Sequence, residues 1–206
     1  GEAFGAELKG ALDGYGVNTE YVKSVGGVSS GIAVIVVVDG DNRIILDAGA
    51  NAKVSESLVD EALKEAEAGD YLVSQLEIDL SIVEYALKKA KEKGMVTLLN
   101  PAPAAKLSEG ILANSDYFIP NQSEAEFYTG IYPEDEASAK KCAEKLSEQG
   151  VKNVVVTMGS KGSACVADGK YYKAECFKAK AVDTTDAGVS FVGALVTKLS
   201  EGAGRS

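Results

Sequence analysis

Short apolar runs alternate along the chain with segments whose apolar residues recur every three or four positions. The first pattern is typical of buried strands, and the second of helices that cover a sheet. Strands are predicted over 31–38, 43–46, 71–76, 95–99, 116–119 and 151–157, and helices over 8–15, 55–66, 81–93, 123–129, 135–149 and 187–199. This alternation predicts a doubly wound, Rossmann-type α/β fold with a mainly parallel sheet between two layers of helices.

Local signals refine this prediction at the turns and helix starts. Asp39-Gly40 and Asp168-Gly169 predict tight hairpin turns, because these residues tolerate positive φ angles. The first hairpin, over about 29–48, forms a small sheet apart from the α/β core over about 55–206. Ser81 and Glu84 have the spacing of a capping box. We expect the whole chain, 1–206, to form a single domain.

Composition narrows the classes of function. The 206 residues carry 31 acidic and 21 basic side chains, a net charge of −10, and 46% of them are hydrophobic. The acidic excess disfavours binding to nucleic acid and to anionic lipid. The apolar runs are shorter than the roughly 20 residues that a membrane-spanning helix needs. We therefore expect a globular protein whose partners are neither nucleic acids nor membranes.

The reactive side chains exclude several kinds of catalysis. The chain contains no His, which removes His-based general bases, His-containing triads and most zinc sites. Its three cysteines, Cys142, Cys165 and Cys176, share no CxxC spacing. An odd number without a pairing pattern is typical of buried thiols in a reducing compartment, so we expect a cytoplasmic protein.

Four polar segments follow predicted strands, where a doubly wound sheet binds its ligands. They are 75–77, 120–124, 157–162 and 183–191. Glycines at 159 and 162 let a backbone approach a nucleotide closely, and Ala187-Gly188 at a helix start directs free N–H groups toward an anion. A Gly-x-x-Gly loop by itself is equally typical of a tight turn that binds nothing.

Taken together and in order, six segments resemble the ribokinase type of the PfkB carbohydrate kinase family. They are Gly49–Ala52, Gln75–Glu77, Leu99–Ala104, Pro120–Glu124, Thr157–Gly162 and Asp183–Gly188. The resemblance implies a ribokinase-like fold in which the first hairpin forms a lid. It also implies phosphoryl transfer from ATP to a sugar hydroxyl, with ribose favoured over fructose or adenosine, and Mg²⁺ and K⁺ as cofactors.

The resemblance further implies roles for individual residues. Glu77 resembles a sugar-binding carboxylate, Asn121 a nucleotide-phosphate contact and Glu124 the carboxylate that holds the hydration shell of Mg²⁺. The matching nucleotide-binding residues are Thr157, Gly159, Ser160, Gly162 and Gly188, and those of the monovalent-cation loop are Asp183 and Thr185. Simpler readings stay open: Glu77 as a surface residue, Asn121 as a turn residue and Glu124 as a partner of the helix dipole.

Two positions depart from the family motif, Asp-Thr-Thr-(Gly/Ala)-Ala-Gly-Asp. The final Asp, which acts as the base, is replaced by Val189, so the catalytic residue is unknown and Asp186 is only a weak substitute. Loss of a general base lowers a rate by roughly 10²–10⁴-fold. Asp186 itself places a carboxylate where phosphate would bind the helix N-terminus. We therefore expect little kinase turnover and weak binding of ATP, ADP and ribose.

The family also begins before this chain and ends after it. We therefore expect a truncated fold with an unpaired strand edge, and self-association into a homodimer or a larger homo-oligomer. Two alternatives stay open: a kinase completed by another chain, and a new activity in a remodelled pocket.

Overall fold

The computed structural model describes residues 3–38, 41–177 and 187–202. Its contacts divide the chain into two compact units. The first unit comprises Gly1–Glu65 and Glu77–Ile82, and the second comprises Ala66–Leu76 and Val83–Ser206. The expectation of a single domain over 1–206 stays a prediction.

The first unit contains the predicted hairpin. Its elements are helix α1 (Ala3–Gly14), strands β1 (Ile32–Val38) and β2 (Asp41–Asp47), a 3₁₀ turn (Gly49–Lys53) and helix α2 (Glu56–Ala62). β1 and β2 pair antiparallel from Ile32 opposite Asp47 to Val38 opposite Asp41, which confirms the two strands. The turn residues 39–40 lie outside the described residues. α2 begins after Ser55, whose Oγ accepts a hydrogen bond from the Leu58 N–H.

The second unit contains the α/β core. Its strands are β3 (Tyr71–Ser74), β4 (Val96–Leu99), β5 (Tyr117–Phe118), β6 (Asn153–Thr157), β7 (Ser163–Ala167) and β8 (Lys170–Ala174). Its helices are α3 (Leu80–Glu92, whose first turn belongs to the first unit), α4 (Glu109–Ala113), α5 (Gln122–Thr129), α6 (Glu136–Glu148) and α7 (Ala187–Ser200).

The six strands form one sheet in chain order. β3 to β6 run parallel, and β7 and β8 continue the sheet in antiparallel pairing. Asp168 and Gly169, between β7 and β8, have φ angles of 49° and 73°. This confirms the predicted Asp-Gly turn and the mainly parallel sheet.

Both faces of this sheet carry helices. On one face Leu98, Ile119 and Val155 pack against Val192 of α7. The alternate residues of the strands point the other way. That face, which carries α5 and α6, buries Leu99, Phe118, Val154 and Val156 completely. The arrangement confirms the predicted layers and places the carboxyl ends of β3 to β6 along one edge.

Two local predictions were wrong. Ser81 does not cap α3; the Asp79 carboxylate accepts hydrogen bonds from the Ser81 N–H and Oγ at 2.8 and 2.7 Å, and these bonds lower the pKa of Asp79. Glu84 instead accepts a hydrogen bond from Ser108 Oγ at 2.9 Å. The acceptor nearest the first turn thus provides the cap. The short helix α4 was not predicted; Ser108 caps it through the Ile111 N–H.

The thiols are free, but only one is fully buried. Cys142 is buried, Cys165 is half-buried and Cys176 is exposed. The prediction of buried thiols was therefore wrong for Cys176, which follows β8 in a segment outside the sheet. No helix among the described residues is long and apolar enough to cross a membrane.

Candidate functional site

The N-terminus of α5 follows the carboxyl end of β5 and is closed by a reciprocal cap. Asn121 Oδ1 accepts a hydrogen bond from the Glu124 N–H, and Glu124 Oε2 accepts one from the Asn121 N–H, both at 2.9 Å. Glu124 is only 7% exposed. Burial raises its pKa, and the Asn121 N–H partly opposes that rise. The cap therefore holds a partly desolvated carboxylate at a strand end.

Thr157 brings the next predicted segment beside this cap. It ends β6, its N–H donates to the Pro120 carbonyl oxygen at 3.0 Å, and it forms a parallel bridge with Asn121. Asn121 and Thr157, which the motifs assign to the nucleotide, therefore lie at adjacent strand ends, and Glu124, assigned to its metal ion, lies beside them in the first turn of α5.

The turn after Thr157 is stabilised by its own backbone. The Met158 N–H donates to the Gly162 carbonyl oxygen at 2.8 Å, and a 3₁₀ turn spans Gly159–Lys161. Gly159 has a φ of +54° and open space where a Cβ would stand. At Gly162, φ is +88° and a Cβ would lie 2.0 Å from the Ala174 carbonyl oxygen. Close packing against the end of β8 therefore requires glycine at 162, whether or not a nucleotide binds there.

The other predicted residues are placed less closely or not at all. Ser160 lies within the 3₁₀ turn and is exposed. Gly188 and Val189 lie in the first turn of α7, where Val189 is 55% exposed and offers no proton acceptor. Glu77 is an exposed residue of the first unit. Asp183, Thr185 and Asp186 lie outside the described residues.

The sequence motifs assign no role to Asn100, a polar residue at this edge, although it lies within the segment Leu99–Ala104. Asn100 follows β4, and its side chain contacts the ends of both neighbouring strands, through Gln75 and the Ile119 carbonyl oxygen. The sequence signal that could have identified Asn100 is its position as a polar residue between an apolar strand and a proline.

The carboxylate of Glu124 fits a contact with hydrated Mg²⁺. The described residues contain no group of three or more His, Cys, Asp or Glu side chains that could hold a metal ion. A single hard oxygen donor suits Mg²⁺ because this ion keeps several of its waters in proteins. The residues expected to hold K⁺, Asp183 and Thr185, lie outside the described residues.

The pfkB family of carbohydrate kinases matches residues 1–206, the full length of the chain. The chain belongs to this family. It is 38% identical to the ribokinase of Haemophilus influenzae over 97% of its own length and 66% of that protein's. The ribokinase of Schizosaccharomyces pombe is 37% identical, with 98% of this chain and 65% of the relative covered. The chain thus spans slightly less than two thirds of the length of these relatives.

Solved structures of family members share the fold. The ribokinase of Thermotoga maritima superimposes with a TM-score of 0.82 at 35% identity, over 98% of this chain and 66% of that one. The Arabidopsis thaliana ribokinase complexed with ribose and ATP gives 0.84 at 32% identity, over 98% and 67%. These likenesses confirm the predicted ribokinase-like α/β fold.

Proposed function

We propose that the chain is part of an ATP-dependent ribose kinase whose turnover is strongly reduced, because Val189 occupies the position of the catalytic base. The observation that carries the kinase assignment is the joined strand ends of β5 and β6, where Asn121, Glu124 and Thr157 are held together. The similar Arabidopsis ribokinase, solved with ribose and ATP, supports these ligands. The thiols fit a reducing, cytoplasmic compartment.

The residues divide into a nucleotide side and a sugar side. Asn121 and the turn 157–162 contact the nucleotide in this proposal, and Glu77 accepts hydrogen bonds from sugar hydroxyls. Glu124 holds the hydration shell of Mg²⁺, while Asp183 and Thr185 hold K⁺. Bound Mg²⁺ neutralises charge on the phosphate oxygens during phosphoryl transfer.

In this proposal the reduced turnover originates in the first turn of α7, which contains Val189. The N–H groups around Gly188 can stabilise an anionic phosphate. Val189 cannot take the proton from the attacking sugar hydroxyl, and this loss alone lowers the rate by roughly 10²–10⁴-fold. Asp186 further weakens phosphate binding through its charge. Binding of ATP and ADP is therefore weak and turnover negligible.

A coupled assay with ribose and MgATP tests this proposal. We expect turnover at least a hundredfold below the roughly 1–100 s⁻¹ of ordinary kinases, and Kd values for ATP well above micromolar by calorimetry. Val189→Asp, with Val189→Asn as the size-matched control, should not by itself restore ordinary turnover, because the charge of Asp186 still opposes phosphate binding. Ordinary turnover or sub-micromolar ATP binding would contradict the proposal.

Activation by Val189→Asp but not by Val189→Asn would favour the second candidate, a kinase whose site another chain completes. The exposed lid hairpin supports this candidate. Ile32, Val34, Ile45 and Leu46 are all exposed on β1 and β2. We propose that the chain forms a homodimer or larger homo-oligomer through these strands.

The oligomer proposal is tested by light scattering at micromolar concentration. We expect a mass of at least twice 21.4 kDa and an interface burying more than about 1,200 Å² in total. Ile45→Lys should dissociate the assembly, whereas Phe127→Lys, at an exposed residue of α5 in the second unit, should leave the mass unchanged. A wild-type monomer would disprove the proposal.

A further inference from the structure

One side chain, that of Asn100, joins the carboxyl ends of three strands. Its Nδ2 donates to the Ile119 carbonyl oxygen at 2.9 Å, and its Oδ1 accepts from Nε2 of Gln75 at 3.2 Å. Its backbone N–H donates to the Ser74 carbonyl oxygen at 3.0 Å. We call Gln75, Asn100 and Ile119 the strand-end clamp. All three residues belong to the second unit.

Each end of the clamp leads within two residues to a proposed ligand contact. Gln75 precedes Glu77 on the sugar side, and Ile119 precedes Asn121 on the nucleotide side. The Leu76 N–H also donates to the Ala102 carbonyl oxygen at 2.9 Å, so the segment after Asn100 holds the sugar side a second time. The clamp is therefore a direct polar link between the two sides.

Few backbone hydrogen bonds join β4 to β5 at the carboxyl end of the sheet. β5 has only two residues, and its register with β4 consists of Leu98 opposite Tyr117 and Leu99 opposite Phe118. Beyond these pairs the Ile119 N–H donates to the Leu99 carbonyl oxygen at 2.9 Å. The Asn100 side chain adds the next bond outward, where the paired strands have ended. Its removal would leave the half-buried Gln75 amide and the Ile119 carbonyl group without this partner.

We propose that Asn100 is a positioning residue that fixes the spacing between the sugar-side segment, 74–76, and the nucleotide-side segment, 118–122. The ligands named for the two sides rest on the proposed function. The geometric role does not, because it follows from the contacts of Asn100 itself.

Amide hydrogen exchange on three variants tests the role. Asn100→Ala breaks both links and should raise exchange at least tenfold in both segments. Asn100→Asp keeps the acceptor for Gln75 but removes the donor to Ile119, so only the nucleotide-side segment should exchange faster. Gln75→Ala should affect only the sugar-side segment.

A matched control separates positioning from general loss of stability. Asn153 Nδ2 donates to the Asp116 carbonyl oxygen at 2.8 Å, which is the same kind of link at the amino ends of β5 and β6. Asn153→Ala should therefore leave exchange in 74–76 and 118–122 unchanged. The proposal is overturned by unchanged exchange in Asn100→Ala, or by equal acceleration of both segments in all four variants, as uniform destabilisation would give.

Ligand titrations supply a second readout. MgADP and ribose are added separately at millimolar concentration, and amide shifts are followed at Glu124 and Glu77. Asn100→Asp should weaken MgADP at least threefold and spare ribose, and Gln75→Ala should do the reverse; the same change for both ligands would contradict the assignment of sides. If neither ligand shifts any wild-type amide, the proposed function fails, while the exchange data still decide the role of Asn100.

Discussion

The two units differ in how they bury their apolar residues. In the second unit, Leu98, Phe118 and Val154 are completely buried. In the first unit, among residues whose side chains are described, only Thr19 and Leu63 are buried, while Phe4 and Ile45 are more than 60% exposed. Parallel strands with their own connecting helices bury each other, whereas a helix beside a two-stranded hairpin does not. Stability should therefore reside in the second unit.

Two leucine truncations test this difference in burial most directly. Leu98→Ala should lower the free energy of unfolding by about 3 kcal/mol, since it removes completely buried contacts and leaves a cavity. Leu8→Ala, at a residue 59% exposed in α1, should change it by less than about 0.5 kcal/mol. Urea denaturation followed by circular dichroism measures both. Equal losses would show that the first unit depends on Leu8 as the core depends on Leu98, and the comparison would fail.

Two glycine substitutions sharpen the comparison by placing similar strain in each unit. At Gly162 an added Cβ would stand 2.0 Å from a backbone oxygen, and at Gly49 it would stand 2.6 Å from the Ser29 and Ser30 oxygens, both at positive φ. Gly162→Ala should destabilise the second unit by at least about 2 kcal/mol. Gly49→Ala should leave the thermal transition of the second unit unchanged and increase proteolysis only in the first.

Gly159→Ala is the control for conformational strain without a clash. Gly159 has a φ of +54°, and nothing lies within 4 Å of the added Cβ. It should cost about 1 kcal/mol, from the left-handed backbone alone. A loss in Gly162→Ala no greater than in Gly159→Ala would show that the end of β8 moves aside, and that Gly162 is retained for another reason.

The sequence alone predicted those features whose signal lies within one short segment. Apolar runs predicted the strands, Asp168-Gly169 predicted its turn, and the spacing of Asn121 and Glu124 identified a segment that the structure shows as a reciprocal cap. The family motifs placed the fold correctly over the whole chain.

The sequence alone did not predict contacts between residues that are distant along the chain. The requirement for glycine at 162 comes from Ala174, and the role of Asn100 comes from Gln75 and Ile119. The capping box at Ser81 was wrong because Glu84 binds Ser108 instead. Such pairings arise from the register of strands and the packing of helices, which single-sequence spacing does not contain.

The two units also differ in how far their ion pairs are shielded from solvent. In the second unit the Asp116 carboxylate accepts hydrogen bonds from Lys91 Nζ at 2.8 and 2.7 Å and from the Thr97 N–H at 3.0 Å. Its side chain is 13% exposed. Burial would raise the pKa of Asp116, but the bonds from Lys91 and Thr97 outweigh burial and hold it below the usual value. In the first unit, Lys23 and Glu61 form an ion pair at 2.8 Å, and both side chains are about half exposed to solvent.

Asp116→Asn should therefore cost about 2 kcal/mol at pH 7, while Glu61→Gln should leave the unfolding midpoint in urea unchanged. Because the pKa of Asp116 is lower in the folded state, its contribution is complete above about pH 4 and is lost as the pH falls through the folded value. The gap between wild type and Asp116→Asn should therefore narrow steadily in urea titrations from pH 5 to pH 2. A gap that stays constant over this range would show that Asp116 stabilises the sheet by shape rather than by charge. A loss in Glu61→Gln as large as in Asp116→Asn would show that the first unit also holds a pair shielded from solvent, and would remove the electrostatic part of the contrast between the units.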